Sequence, residues 1–251
     1  MECSFCNEMN NKEENNFFDI YLKKEKEIGK ISKKHNVLFH TDSVQAIGNI
    51  KIDVKQLGID LLSLSAHKFY GPKGVGALYV KEGVKFRKFL NGGHQERGKR
   101  AGTENVAGIV GLGKAISLVY ENLEQKNKYL IKLREYFINE IKQNIVDIKV
   151  NGNLSNRLPG NINISFKGVE ADNILTELDK RGIFISTGSA CTTGSLESSH
   201  VLKAIGLSDI EAHSTIRISL GKYNTKEEID YVIKELKNII EKLRSYSVLY
   251  N

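Results

Sequence analysis

Two short apolar runs, each followed at once by side chains capable of chemistry, constrain this chain most. Val37-Leu38-Phe39 reads as a buried strand that delivers His40 and Asp42 at its C-terminal end. Leu61 to Leu64 reads as a second buried strand, delivering Ser65, His67 and Lys68. Gly71-Pro72-Lys73-Gly74 then turns the chain into a third strand, Val75 to Val80. Parallel sheets gather their functional groups beyond the C-terminal ends of strands. The pattern therefore predicts an α/β fold with a site at that edge.

The flanking sequence extends the alternation. Residues 1–16 are polar, rich in Asn and Glu, and are expected to form a disordered tail. A lysine-rich helix follows, with Ile20, Ile28 and Ile31 spaced for one buried face, ending near His35-Asn36. Residues 83–102 read as a Gly- and Arg-bearing loop. Helical spacing runs from Glu104 to about Gln143 with one break. After it come strand-like Ile148 to Val150, a turn at Asn151-Gly152-Asn153, strand-like Asn161 to Phe166, and a helix over 170–181. A strand, Ile183 to Ser186, enters a Gly/Ser/Cys/Thr loop at 187–195. Strand-like Thr215 to Leu220 and a helix from Lys226 to about Tyr246 close the chain, with Thr225 and Glu228 forming a capping box. The domain boundary is expected near residue 145, followed by a smaller layered α/β module.

Composition narrows the function. Hydrophobic residues at 40% and charged residues at 27% make a globular balance. No apolar run approaches the roughly 18 to 20 residues that span a bilayer, and the first thirty residues hold no signal-like apolar core. The expectation is a cytoplasmic protein without a membrane. The net charge of +7 rests mainly on Lys. Without an Arg-rich arm or a basic stripe interleaved with aromatics, no nucleic-acid partner is expected. Three cysteines in such a chain argue against a disulfide framework. Cys3 and Cys6 form a CxxC without a second ligand pair, so no metal is expected.

Asp42 and Lys68, on neighbouring strands, admit two readings: a buried ion pair, or a Schiff-base lysine with a carboxylate beside the pyridinium nitrogen of pyridoxal phosphate. The words around them decide. Phe39-His40-Thr41-Asp42-Ser43-Val44-Gln45 and Ser65-Ala66-His67-Lys68-Phe69-Tyr70-Gly71-Pro72-Lys73-Gly74 resemble the cofactor segments of the cysteine desulfurases. So do Gly92-Gly93-His94-Gln95-Glu96-Arg97, Arg100-Ala101-Gly102-Thr103, Ser186-Thr187-Gly188-Ser189-Ala190-Cys191-Thr192, and Ala212-His213-Ser214-Thr215-Ile216-Arg217-Ile218-Ser219-Leu220-Gly221. Order and wording agree from about Glu27 to the C-terminus. The Cys191 segment resembles the group I branch, which supplies sulfur for iron–sulfur clusters and thionucleosides.

The resemblance implies a fold-type I pyridoxal-phosphate transferase, class-V aminotransferase in kind. Residues 17–145 would form the C-terminal part of a large cofactor domain with a parallel or mixed sheet, and 146–251 a small α/β domain carrying the cysteine loop. Lys68 would hold the cofactor and shuttle protons, Asp42 would face the pyridine nitrogen, and Gln45 the phenolate oxygen. Ser65 and His67 would bind the phosphate, with Thr103 reaching the phosphate of a partner subunit in a homodimer. Arg217 would bind the carboxylate of L-cysteine. Cys191 would be the nucleophile that takes sulfur as a persulfide and passes it to an acceptor or iron–sulfur scaffold protein. His94 would act as an acid or base, while His40 reads as a structural strand-end residue.

The family has more chain before this point: a phosphate-cradling loop, a ring-stacking histidine, and an Asn-Asn motif followed by Glu-Ile-Gly. Here Asn10-Asn11 runs into Lys12-Glu13 and Asn15-Asn16 into Phe17-Phe18; either pair fits as the remnant of that motif, so Asn11 and Asn16 compete for the asparagine's role. The expectation is an N-terminally truncated desulfurase. Two alternatives stand beside it: a catalytically impaired partner of sulfur-acceptor proteins, and a selenocysteine lyase-like enzyme.

Overall fold

A computed structural model describes residues 17–187, 198–248 and 250. The chain folds as two compact units, Met1–Glu121 and Asn122–Asn251.

The first unit is built on a three-stranded mixed sheet in the order β1 (His40–Asp42), β2 (Leu61–Ser65), β3 (Gly76–Val80). β1 and β2 run parallel, with Asp42 beside Ser63; β2 and β3 run antiparallel, with Ser63 beside Leu78. Phe39, Leu62, Ala66 and Phe69 are buried on one side of this sheet, and α3 (Val106–Glu121) packs there through Leu112, Ala115, Ile116 and Val119. A short helix, α2 (Val54–Leu57), starts where the Asp53 carboxylate accepts the amides of Lys55 and Gln56 at 2.9 and 3.0 Å. It stops at Gly58, whose φ of 71° is one that a side chain would strain.

Two expectations change here. Helix α1 (Phe17–Lys34) forms, but Ile28 and Ile31 are exposed rather than buried. The helix docks through Leu22 and Gly29 instead, because Gly29 sits on α2 so closely that a Cβ would stand 2.1 Å from the Leu57 carbonyl oxygen. Val37 and Leu38 are exposed and lie outside the sheet; only Phe39 is buried, and the strand begins at His40.

The second unit is an antiparallel sheet in the order β4 (Ile148–Val150), β5 (Asn161–Phe166), β7 (Thr215–Ser219), β6 (Ser186–Thr187). Alternation along β5 and β7 sends Ile162, Ile164, Phe166, Ile216 and Ile218 into a core closed by α4 (Leu123–Asn144), α5 (Ala171–Asp179) and α8 (Lys226–Ser245). The helical break falls at Asn122. The unit boundary lies there rather than near 145, because α4 commits Leu133, Phe137, Ile138 and Ile141 to the second core. Two short helices, α6 (His200–Ala204) and α7 (Asp209–His213), precede β7. The expected capping box opens α8, with Thr225 accepting from the Glu228 amide and the Glu228 carboxylate accepting from Thr225. The strand expected over 183–186 is shorter and later, and Phe184 is exposed. No single helix among the described residues is long and apolar enough to cross a membrane.

Candidate active site

The C-terminal ends of β1 and β2 bring together most of the side chains singled out by sequence. Asp42 ends β1 and accepts the Val44 amide on Oδ1 at 2.9 Å, a two-residue turn that fixes its carboxylate. Ser43 beside it is fully buried; its amide donates to the Ser63 carbonyl, yet its Oγ has no partner. Gln45 lies exposed in the following turn, where its carbonyl accepts from Asn49 Nδ2. His40 points its Nε2 to Ser63 Oγ at 2.9 Å, in keeping with a structural role.

Ser65 ends β2, and residues Ala66–Phe69 wind into a 3-10 turn. Phe69 is buried as its anchor, and Tyr70 takes a left-handed φ of 68° to leave it. Gly71 closes the turn against Ala66 and Ala115, whose Cβ atoms would stand 2.9 and 3.2 Å from any added Cβ. This geometry sets Ser65 Oγ and His67 Nδ1 2.8 Å apart. Lys68 is exposed, and among the described residues neither a hydrogen bond nor an ion pair engages its amine. An exposed amine one residue beyond a hydroxyl–imidazole pair, with a fixed carboxylate on the neighbouring strand, suits a ligand that carries both a carbonyl and an anion.

The loop over 91–103 is tied to itself. Gln95 Oε1 accepts the Gly102 amide at 3.1 Å, and Arg100 Nη1 donates to the carbonyls of Ala101, Gly102 and Thr103. Glu96 and Arg97 take left-handed φ values of 50° and 56°, so this shape is held against local preference. His94 and Thr103 are exposed on it. Gln95 and Arg100 as the braces of this loop escaped the sequence reading, although both stand inside its motifs.

In the second unit Arg217 occupies the middle of β7, flanked across the ladders by Asn163 and Ser186. The Asn151 amide donates to the Asn163 carbonyl, which extends the row to four strands: Asn151, Asn163, Arg217, Ser186. Asn151 Nδ2 donates to Asn163 Oδ1 at 2.9 Å and to Ser165 Oγ at 2.8 Å, and Ser165 meets Thr215 Oγ1 at 2.6 Å. Arg217 Nε is buried and has no partner among the described residues, a donor of the kind an anionic ligand satisfies. This polar row was not legible earlier, since it depends on pairing between distant segments. Cys191, Cys3, Cys6, Asn11 and Asn16 lie outside the described residues. Among the described residues no three His, Cys, Asp or Glu side chains group as a metal site.

Fold and site together define a class. The chain matches the class-V aminotransferase family model over residues 15–232, and it belongs to that family. Within the family it is 56% identical over 227 residues to the cysteine desulfurase IscS of Clostridium botulinum and 50% identical over 224 residues to that of Methanosarcina thermophila. Those alignments cover 90% and 89% of this chain, and 57% and 55% of the relatives. Solved structures agree: a NifS-like protein superposes with a TM-score of 0.79 at 37% identity, over 87% of this chain and 57% of that one. A structure described as SspA in complex with cysteine gives 0.61 at 38%, over 80% and 55%. The chain thus spans little more than half the length of these relatives.

The donor set suits pyridoxal phosphate, the cofactor used in this family: an exposed amine at Lys68, a carboxylate at Asp42, an amide at Gln45, and the Ser65–His67 pair for an anion.

Proposed function

We propose that the chain carries a cysteine desulfurase site that uses pyridoxal phosphate to take sulfur from L-cysteine, leaving L-alanine. The observation that carries this reading is the exposed Lys68 amine, unengaged among the described residues, in the turn that pairs Ser65 with His67. Its relatives named cysteine desulfurases, and the related protein solved with cysteine, support the choice of substrate.

Pyridoxal phosphate, when bound, supplies the electron sink that makes bonds at the substrate carbon labile. Lys68 would hold it through Nζ and, once displaced by the substrate amine, hold and move a proton at that nitrogen. Asp42, fixed by the Val44 amide, would face the pyridine nitrogen, and Gln45 the phenolic oxygen. Ser65 Oγ and His67 would bind the phosphate as a preorganised pair. Thr103 would reach the phosphate held by a second subunit of a homodimer.

Arg217 would grip the substrate carboxylate with its planar fork. Cys191 would attack as a thiolate: an S–S bond forms as the carbon–sulfur bond breaks, alanine departs, and the sulfur remains as a persulfide. His94 would serve as the acid or base near that step. A thiol of an acceptor protein, including an iron–sulfur scaffold in the cytoplasm, would then take the sulfur.

Absorbance of the protein with added pyridoxal phosphate, then borohydride reduction and peptide mapping, tests the site. The expected result is a visible band and one reduced adduct, on Lys68, both lost in Lys68→Ala. Label scattered over surface lysines overturns the reading. With the cofactor held, Cys191→Ala should keep the band and lose sulfide release from cysteine.

A further inference from the structure

In the polar row of the second unit, the direction of each hydrogen bond is set from the two ends. At one end the Glu211 carbonyl, which can only accept, takes the Thr215 hydroxyl proton at 2.5 Å. Thr215 Oγ1 therefore accepts from Ser165 Oγ, and Ser165 Oγ accepts from Asn151 Nδ2. At the other end the Ile216 carbonyl accepts from Asn163 Nδ2 at 3.4 Å, so Asn163 turns its Oδ1 toward Asn151 Nδ2. Both runs meet at Asn151, which is 3% exposed and donates each way. Its own Oδ1 is left buried without a partner among the described residues. An unmet buried acceptor is destabilising, so this polarity is held at a cost. The consequence falls on Arg217. Asn163 stands directly across the β5–β7 ladder from it, and Ser186 across the β6–β7 ladder. Side chains placed opposite one another on a sheet face come within reach. The Asn163 oxygen is an acceptor for a guanidinium, but Asn151 holds it. What Asn163 presents to β7 is its amide nitrogen, a donor, and a guanidinium has only donors to offer in return. Arg217 Nε accordingly stays without a partner among the described residues.

We propose that Asn151 and Asn163 are positioning residues: by engaging the Asn163 side-chain oxygen, Asn151 keeps Arg217 unquenched and open to the carboxylate of the amino-acid substrate. The inference rests on the reading of Arg217 as the carboxylate-binding residue, and it extends that role to two side chains that never touch the substrate. Asn151 acts through Asn163, and Asn163 through the guanidinium beside it.

The test follows the Arg217 Nε–H signal by isotope-edited NMR in the full chain, without cofactor, while acetate is titrated in. Wild type is expected to bind acetate at this signal. Asn151→Ala frees Asn163 Oδ1 to turn to Arg217, and Asn163→Asp sets a carboxylate opposite it. Each should slow solvent exchange of the Nε proton and weaken acetate binding roughly tenfold, the effect of one hydrogen bond to a charged group. Asn151→Ala combined with Asn163→Ala leaves no oxygen to turn, so affinity should return to within about twofold of wild type. A merely structural role for Asn151 predicts the reverse, a double variant no better than the single one. Circular dichroism checks folding, and Asn163→Asp, equal in size, carries the test if Asn151→Ala does not fold. Three results overturn the proposal: a folded single variant that binds acetate as wild type does, a double variant as weak as Asn151→Ala, or a wild type indifferent to acetate. The first two leave Arg217 as the carboxylate-binding residue. The third removes it from that role, while borohydride trapping at Lys68 still reads the cofactor site.

Discussion

Asp60 shows how one carboxylate can hold three strands. It precedes β2, accepts the Phe39 amide ahead of β1 on Oδ2 at 3.1 Å, and takes the Lys81 ammonium beyond β3 on Oδ1 at 2.8 Å. The Lys81 hydrogen bond and then the Phe39 amide hold its carboxyl below the usual range. A depressed carboxyl stabilises the fold above its unfolded pKa of about 3.9, and that contribution is lost as pH falls through the lower folded value. Asp60→Ala should therefore cost about 1–3 kcal/mol at pH 7 by leaving a buried amide unmet. Denaturant unfolding at pH 7 and pH 3 should show the gap between wild type and variant narrowing at the acid end. Single residues were the most legible part of the sequence: Asp42, Ser65, His67 and Lys68 follow apolar runs directly, and local chain order places them. Ser43, with its orphaned hydroxyl, and the Asn163–Arg217 pair were not legible, because their surroundings are assembled across the chain.

Elements were legible where their signals are local. Asn161 to Phe166 alternates cleanly and is a strand; Thr225 and Glu228 announce α8 and cap it. Thr225→Ala should cost about 1 kcal/mol, seen as a lower denaturation midpoint. The docking face of α1 was misread because isoleucines advertise burial more loudly than a glycine does. Gly29 makes the contact by having no side chain, and the hydrophobic period passed over it. Gly29→Ala should push α1 off α2, at about 1–3 kcal/mol, despite the gain in helix propensity. Hydrogen exchange should then quicken along Leu22–Lys34. Likewise Val37-Leu38 looked strand-like by composition alone, and the structure spends only Phe39 on the core.

Each of the two units has its own main core closed by its own helices, and a cavity in one should stay its own affair. Phe137, 1% exposed in the second core, offers the test. Phe137→Ala should remove about 3–5 kcal/mol and accelerate exchange in β5, β7 and α8, while amides of β2 keep their protection. What the sequence could not convey is the sidedness of the first unit, where exposed isoleucines and valines appear only once the helices are oriented. In the second unit sidedness works differently. Asn151, Asn163, Arg217 and Ser186 line one face across four strands, and the isoleucines line the other. A slip of β7 by one residue would drive a guanidinium into oil and lift isoleucine into the polar row. Folding thus doubles as a check on one side chain: a copy that closes this core has already set Arg217 on the polar face beside Asn163 and Ser186.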